Sequence, residues 1–135
     1  VNDYTYKDDP EKAPDSRYIH RGKFNWDLVD NINDDGSVQG RLFRALDELE
    51  TIRRREPVFN TDAEVYTKDY SDTSILWVIR KAEGEELHAV FNFSDHDKEV
   101  WMPEIRPYQD LVTGETREIR STMLPSWSFL WLKKA

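Results

Sequence analysis

The sequence predicts a mainly β chain: an antiparallel β-sandwich preceded by a long loop and one amphipathic α-helix. Three observations lead there. Residues 37–55 repeat apolar side chains at spacings of three and four. From Pro57 onward the apolar period is two, or short solid runs, with turn residues between them. Residues 1–36 show neither period. Those periods are the signatures of a helix face, of strands and of irregular chain respectively.

The first 36 residues hold nine acids and five bases, with Pro10 and Pro14 as punctuation. They also hold Tyr4, Tyr6, Tyr18, Phe24 and Trp26. Disordered segments are poor in aromatic residues. A long aromatic loop without its own secondary structure is therefore expected to pack on a larger body.

Val38, Leu42, Ala45, Leu46, Leu49 and Ile52 fall on one helical stripe. Ser37 follows the turn signal Asp35-Gly36 and is the expected N-cap. Asp47, Glu48 and Glu50 precede Arg53-Arg54-Arg55, the order of charge that the helix dipole favours. Pro57 ends the helix.

Strands are expected at Ala63–Thr67, Ser74–Lys81, Glu86–Phe93, Glu99–Met102, Tyr108–Val112, Glu115–Ile119 and Ser128–Lys133. The second and third flank a short Gly-containing loop and read as a hairpin. About seven short strands with regular turns suggest an antiparallel sandwich. A helix followed by a run of strands fits two units joined end to end better than alternating strand and helix.

Composition excludes several classes. The chain has 135 residues, a net charge of −8 and no cysteine. Disulfides, thiolate metal sites and a cysteine nucleophile are ruled out. An acidic chain gains little from releasing nucleic-acid counterions, so no nucleic-acid partner is expected. The apolar runs are too short to span a membrane. The acidic start lacks the form of a secretory signal, which with the absence of cysteine favours the cytoplasm. Asn31-x-Asn33-x-Asp35-Gly36 has half the rhythm of a calcium loop, but Leu42 stands where the bidentate Glu belongs. A turn and helix cap explains these residues, and no metal or cofactor is expected. Asn92-Phe93-Ser94 is a chance match to the glycosylation sequon, inside an expected strand.

The run Asp15-Ser16-Arg17-Tyr18-Ile19-His20-Arg21 resembles a segment of amylosucrases, which belong to glycoside hydrolase family 13, the α-amylase superfamily. The resemblance continues in order through Phe24-Asn25-Trp26, Gly40-Arg41-Leu42-Phe43, Leu49-x-x-Ile52-Arg53 and Pro57-Val58-Phe59. It then takes in Val90-Phe91-Asn92-Phe93-Ser94, Asp110-Leu111-x-x-Gly114 and 128–132. It implies that residues 1–56 are the loop and last helix of a (β/α)₈ barrel, and that 57–135 are the β-sandwich C-domain. It also implies a fragment, whose partner is the preceding barrel of the same parent chain. That barrel would supply the catalytic carboxylates, so no catalytic residue is assigned here. The parent would act on sucrose or an α-glucan.

By the same resemblance Arg17 borders the sucrose pocket, where a guanidinium fork suits vicinal hydroxyls. The alternative for Arg17 is a local salt bridge to Asp15 or another loop acid. Asp15, His20 and Arg21 would support the loop. The family has Pro after His-Arg, and Gly22 here loosens the backbone at that point. Retaining glycoside chemistry needs two carboxylates about 5 Å apart. Asp8, Asp9, Glu11 and Asp15 share one loop, but nothing in their spacing fixes such a separation.

Two other readings compete. The parent is alternatively an α-amylase or α-glucosidase. The sandwich is alternatively a carbohydrate-binding module, with Trp101 and Trp127 stacking on sugar, whereas Trp77 and Trp131 lie within apolar runs and read as core. The helix stripe offers a surface for self-association if the barrel is lacking.

Overall fold

The computed structural model describes residues 2–135, and the side chains of these except Arg21. Its chain forms two compact units, Val1–Ala45 and Leu46–Ala135. The boundary falls inside the one long helix, α1 (Val38–Arg55).

In the first unit the expected irregular loop contains three 3₁₀ segments, Thr5–Asp8, Ser16–Arg21 and Trp26–Asn33. This corrects the expectation of a loop without secondary structure. Side chains start two of them. Asp15 accepts from Arg17 N and Asn25 accepts from Asp27 N. Such Asx turns need only one residue at one position and leave no periodic trace. Tyr6 and Tyr18 stack at 6.4 Å, and Asp3 N donates to Ile19 O at 2.8 Å.

The start of α1 is capped as expected. Gly40 N donates to Ser37 Oγ at 2.8 Å, and that hydroxyl reaches the carbonyls of Asn31 at 2.6 Å and Asp34 at 2.8 Å. Asp34 Oδ1 accepts from Gly36 N, and Asp35 pairs with Arg44. These contacts use the residues of the half calcium rhythm as a turn and cap. Gly40 is required by space: a Cβ there would fall on the Asp34 carbonyl. The upper part of the apolar stripe is uncovered, with Val38, Leu42 and Leu46 all more than half exposed.

The second unit holds six antiparallel strands: β1 (Glu64–Thr67), β2 (Ile75–Ala82), β3 (Glu85–Asn92), β4 (Lys98–Asp110), β5 (Thr116–Leu124) and β6 (Phe129–Lys134). Their order is β1-β2-β3-β6-β4-β5 in one hydrogen-bonded sheet. Two expected strands, Glu99–Met102 and Tyr108–Val112, are one strand. β4 runs through Pro103 because its pairing with β5 breaks at a bulge between Trp101 and Arg106, and Pro107 resumes the register opposite Glu118. Tight turning between β2 and β3 is carried by Glu83 (φ 52) and Gly84 (φ 83).

The sheet folds over on itself. Ile75, Trp77 and Ile79 of β2 share a core with Val100, Met102 and Tyr108 of β4 and with Ile119 and Leu124 of β5. β3 and β6 lie between them in the strand order, so the two ends must face each other. Lys98 of β4 reaches across to Asp72, at 2.7 Å, just before β2. The other side of β3 and β6 meets a second cluster, Ile52, Val58, Leu87 and Leu111, with Phe59 and Trp131 packed against it. Ile52 and the 3₁₀ turn Pro57–Phe59 thus cover one end of that outer face. Among the described residues no helix is long and apolar enough to cross a membrane.

Candidate functional site

Asp15 and Arg17 are brought together. The carboxylate takes Arg17 N at 3.0 Å, Nε at 2.9 Å and Nη2 at 2.8 Å. The local ion pair weighed above therefore exists, in a fork-on-carboxylate geometry. The pair lies at the surface, with the Arg17 side chain 79% exposed. Asp15 thus holds Arg17 in one direction while leaving most of the guanidinium in solvent. His20 is exposed on the same 3₁₀ segment. The Arg21 side chain lies outside the described residues.

Asp9 and Asp15 are each engaged with a basic neighbour in the loop. Asp9 binds Lys12 at 2.6 Å and accepts from Glu11 N, and the Lys12 contact leads in holding its carboxyl below the ordinary range. Asp3 is held low in the same way by the hydroxyl and the amide of Thr5. Asp8 and Glu11 are exposed. Among the described residues no group of three His, Cys, Asp or Glu is placed to hold a metal.

The tryptophans divide as their sequence context indicates. Trp77 is fully buried and Trp131 is half-buried against Phe59 at 4.8 Å. Trp101 and Trp127 are 48% and 69% exposed. The Arg120 guanidinium lies 5.4 Å over the Trp101 ring. Trp127 sits at φ 53, a left-handed conformation that is uncommon for a bulky side chain. No ring contact joins the two among the described residues.

One groove is formed where α1 ends. It has a volume of about 650 Å³ and is lined by Glu50, Arg53, Arg54, Phe59, Asn60 and Asp62. Arg53 is already paired with Glu50 at 2.9 Å.

Two polar side chains inside the β-unit have roles that the sequence reading did not assign. Asn92 is 2% exposed and bonds in every direction. Its amide donates to the carbonyls of His96, Leu124 and Pro125, and its oxygen accepts Ser94 N and Oγ. The Asn-Phe-Ser match is therefore a structural knot that leaves no free amide for a glycan. His88 is 1% exposed and edge-on to Trp77 and Tyr108. The signal for both was a polar residue at an inward position of an apolar strand.

The second unit is thus a curled antiparallel sheet that begins just after α1. No family model matches the chain. It is 26% identical over 125 residues to glucosylglycerate phosphorylase of Escherichia coli (strain K12), covering 91% of this chain and 22% of that enzyme. Trehalulose synthase MutB from Pseudomonas mesoacidophila MX-45 matches 79% of the chain at a TM-score of 0.62 and 21% identity, over 19% of its own length. The α-glucosyl transfer enzyme XgtA matches 80% at a TM-score of 0.63 and 16% identity, over 20% of its length. The fold is that of the C-terminal domain of such enzymes. The likeness to the C-terminal part of a glycoside hydrolase family 13 enzyme, read first in the sequence, is borne out. The chain spans about a fifth of the length of the relatives it matches.

Proposed function

We propose that this chain is the C-terminal part of an amylosucrase-like enzyme that transfers glucosyl groups from sucrose to an α-glucan or to water. Within it, residues 1–56 complete the catalytic barrel and 57–135 form a structural β-domain. The observation that carries this reading is the match across 91% of the chain to 22% of a glucosyl-handling enzyme, together with the shared fold.

The chemistry would divide accordingly. Retaining transfer uses one carboxylate to attack the anomeric carbon and a second to protonate the departing oxygen. The covalent glucosyl-enzyme is then broken by an acceptor hydroxyl or water, which returns a proton to the second carboxylate. Both carboxylates would come from the preceding barrel. The loops at the C-terminal face of such a barrel build its active site. Arg17, held by Asp15 and otherwise exposed, would meet hydroxyls of the donor, as the resemblance implies.

The test compares the full-length gene product with the 135-residue chain on sucrose. Release of fructose by the parent and none by the chain is the expected result. Turnover by the chain alone, or a parent that ignores sucrose and accepts only α-glucans, would overturn it. The second outcome would return the α-amylase or α-glucosidase reading.

A second reading has its own observation: Trp101 and Trp127 are exposed, unlike Trp77. Exposed aromatic rings mark sugar-binding surfaces when they are grouped. These two are apart, which leaves the structural role as the better account of the β-domain.

A further inference from the structure

We infer that the open edge of β5 pairs with the same edge of a second copy of this protein, antiparallel and centred on Ile119, to give a two-fold dimer with one continuous sheet. The contact is independent of which sugar the parent uses.

β5 is the last strand in the order β1-β2-β3-β6-β4-β5 and is bonded on one side only, to β4. A bare strand edge is a template for another strand, and proteins commonly blunt it by shortness, proline or lysine. β1, the opposite edge, is four residues long. β5 runs for nine residues, Thr116–Leu124, with neither proline nor lysine. Thr116, Arg117, Glu118 and Arg120 are exposed along it. Residues of an antiparallel strand turn their amide and carbonyl alternately to one neighbour and to the other. Asp110 N donates to Glu115 O at 2.8 Å, so Glu115, Arg117 and Ile119 face β4. Thr116, Glu118 and Arg120, which alternate with them, turn theirs to the open side. The Ile119 side chain is 3% exposed and belongs to the core, which puts Glu118 and Arg120 on the opposite, solvent face.

The charges on that face select both the partner and the register. Among the described residues neither Glu118 nor Arg120 makes an ion pair; the Arg120 guanidinium rests over the Trp101 ring. A strand paired with its own copy about a two-fold axis sets residues equally far before and after its centre opposite one another. Centred on Arg117, Glu118 or Arg120, the pairing sets that charge against itself, and like charges directly opposite are destabilising. Centred on Thr116 or Ser121, it leaves Arg120 without a counter-charge. Centred on Ile119, it sets Glu118 opposite Arg120 twice over, Arg117 opposite Ser121 and Thr116 opposite Thr122. Opposite charges and paired threonines are favourable cross-strand neighbours. The two charged pairs then also join residues whose amides and carbonyls are turned to the edge. A surface complementary to itself is what a two-fold contact requires. With residues 116–122 on each side, the contact is of the transient class, below about 1,200 Å².

Sedimentation velocity of the full-length parent tests the pairing. Dimer should replace monomer as concentration rises through about 10–100 µM. Glu118→Arg and Arg120→Glu should each weaken association about tenfold or more, because each sets like charges opposite. Mixed one to one, these two variants should associate with each other as readily as the unaltered protein does, since every facing pair is again opposite in sign. Both changes in one chain should likewise restore self-association. A parent that stays monomeric would overturn the dimer. So would dimers that persist in both single variants, which would move the contact to another surface such as the exposed Leu42 and Leu46 stripe, or a mixture that stays monomeric. All three results leave the sucrose reading standing.

Discussion

The indole Nε1–H of Trp77 donates to Nδ1 of His88 at 3.1 Å, wholly inside the β-unit. The indole can only donate, so Nδ1 accepts and the histidine proton sits on Nε2. Glu86 Oε1 lies 2.9 Å from that nitrogen, at an angle that makes no good hydrogen bond. Burial leads in pushing the His88 pKa down, while Glu86 opposes it and Lys134 and Lys68 add to it. A depressed folded-state pKa means that the unfolded chain binds the proton more tightly. Stability is then full above the ordinary histidine value of about 6.5 and falls as pH drops through it. Urea midpoints should decline between about pH 7 and pH 5. In His88→Leu that slope should flatten, at a cost of about 1–3 kcal/mol for the unpaired indole.

Glu86 extends the same dependence to lower pH. Burial would raise its pKa, but the Lys134 and Lys81 contacts prevail and hold it at about 2. The stability it contributes is present above the ordinary carboxylate range and is lost as pH falls towards that value. Lys134→Met should therefore make acid unfolding begin at higher pH, visible in a far-ultraviolet circular dichroism titration.

Asn92 should be the costliest polar position in the β-unit. Asn92→Leu would leave the carbonyls of His96, Leu124 and Pro125 without their shared donor. Each unmet buried group costs about 1–3 kcal/mol. A loss of about 3 kcal/mol or more in denaturant unfolding is expected. Asn92→Asp should be nearly as harmful, because the donor becomes an acceptor.

Lys133 joins the end of the sheet to the segment after α1. Its ammonium reaches Glu56 at 2.6 Å and Glu85 at 3.2 Å, and Glu56 is 8% exposed. Removing one partner of a largely buried pair strands the other charge. Lys133→Met alone should destabilise by about 2–3 kcal/mol. The double change with Glu56→Leu should recover part of that, and a double-mutant cycle in urea measures the coupling.

Arg17→Ala separates site from scaffold. Its ion pair with Asp15 is exposed, and such pairs contribute little to stability. The melting temperature of the chain should hardly move. In the full-length parent the same change should lower kcat/KM for sucrose about tenfold or more, as expected when an aligned guanidinium–hydroxyl contact is lost. An unchanged kcat/KM would leave Arg17 as a loop staple.

What sequence could disclose depended on repetition. The three-and-four spacing from Val38 to Ile52 marked α1, and Ser37 marked its cap. Period-two runs marked β2, β3 and β6 within a residue or so. β4 was split because Pro103 and Pro107 ordinarily forbid a strand, and the bulge that admits Pro103 depends on its partner strand. The 3₁₀ segments were hidden because each hangs on single Asx contacts at Asp15 or Asn25. Which strand face would stay bare was not legible either. Phe91, Phe93 and Phe129 alternate correctly for a core, and only the position of Ile52 and Val58 shows where cover ends. Resemblance named Arg17, while its contact with Asp15 needed coordinates.

The cap at the head of α1 also sets where this polypeptide can be cut. Ser37 Oγ ties the carbonyls of Asn31 and Asp34 to the amide of Gly40, and no Cβ fits at Gly40. The stretch from Asn31 to Gly40 is thus a single clasp rather than a hinge. A shortened version beginning at Ser37 would keep every helical residue yet lose both carbonyls that hold the capping hydroxyl in place. Excision of the β-unit is better made beyond the clasp, inside α1, than at the helix start that a sequence pattern would choose.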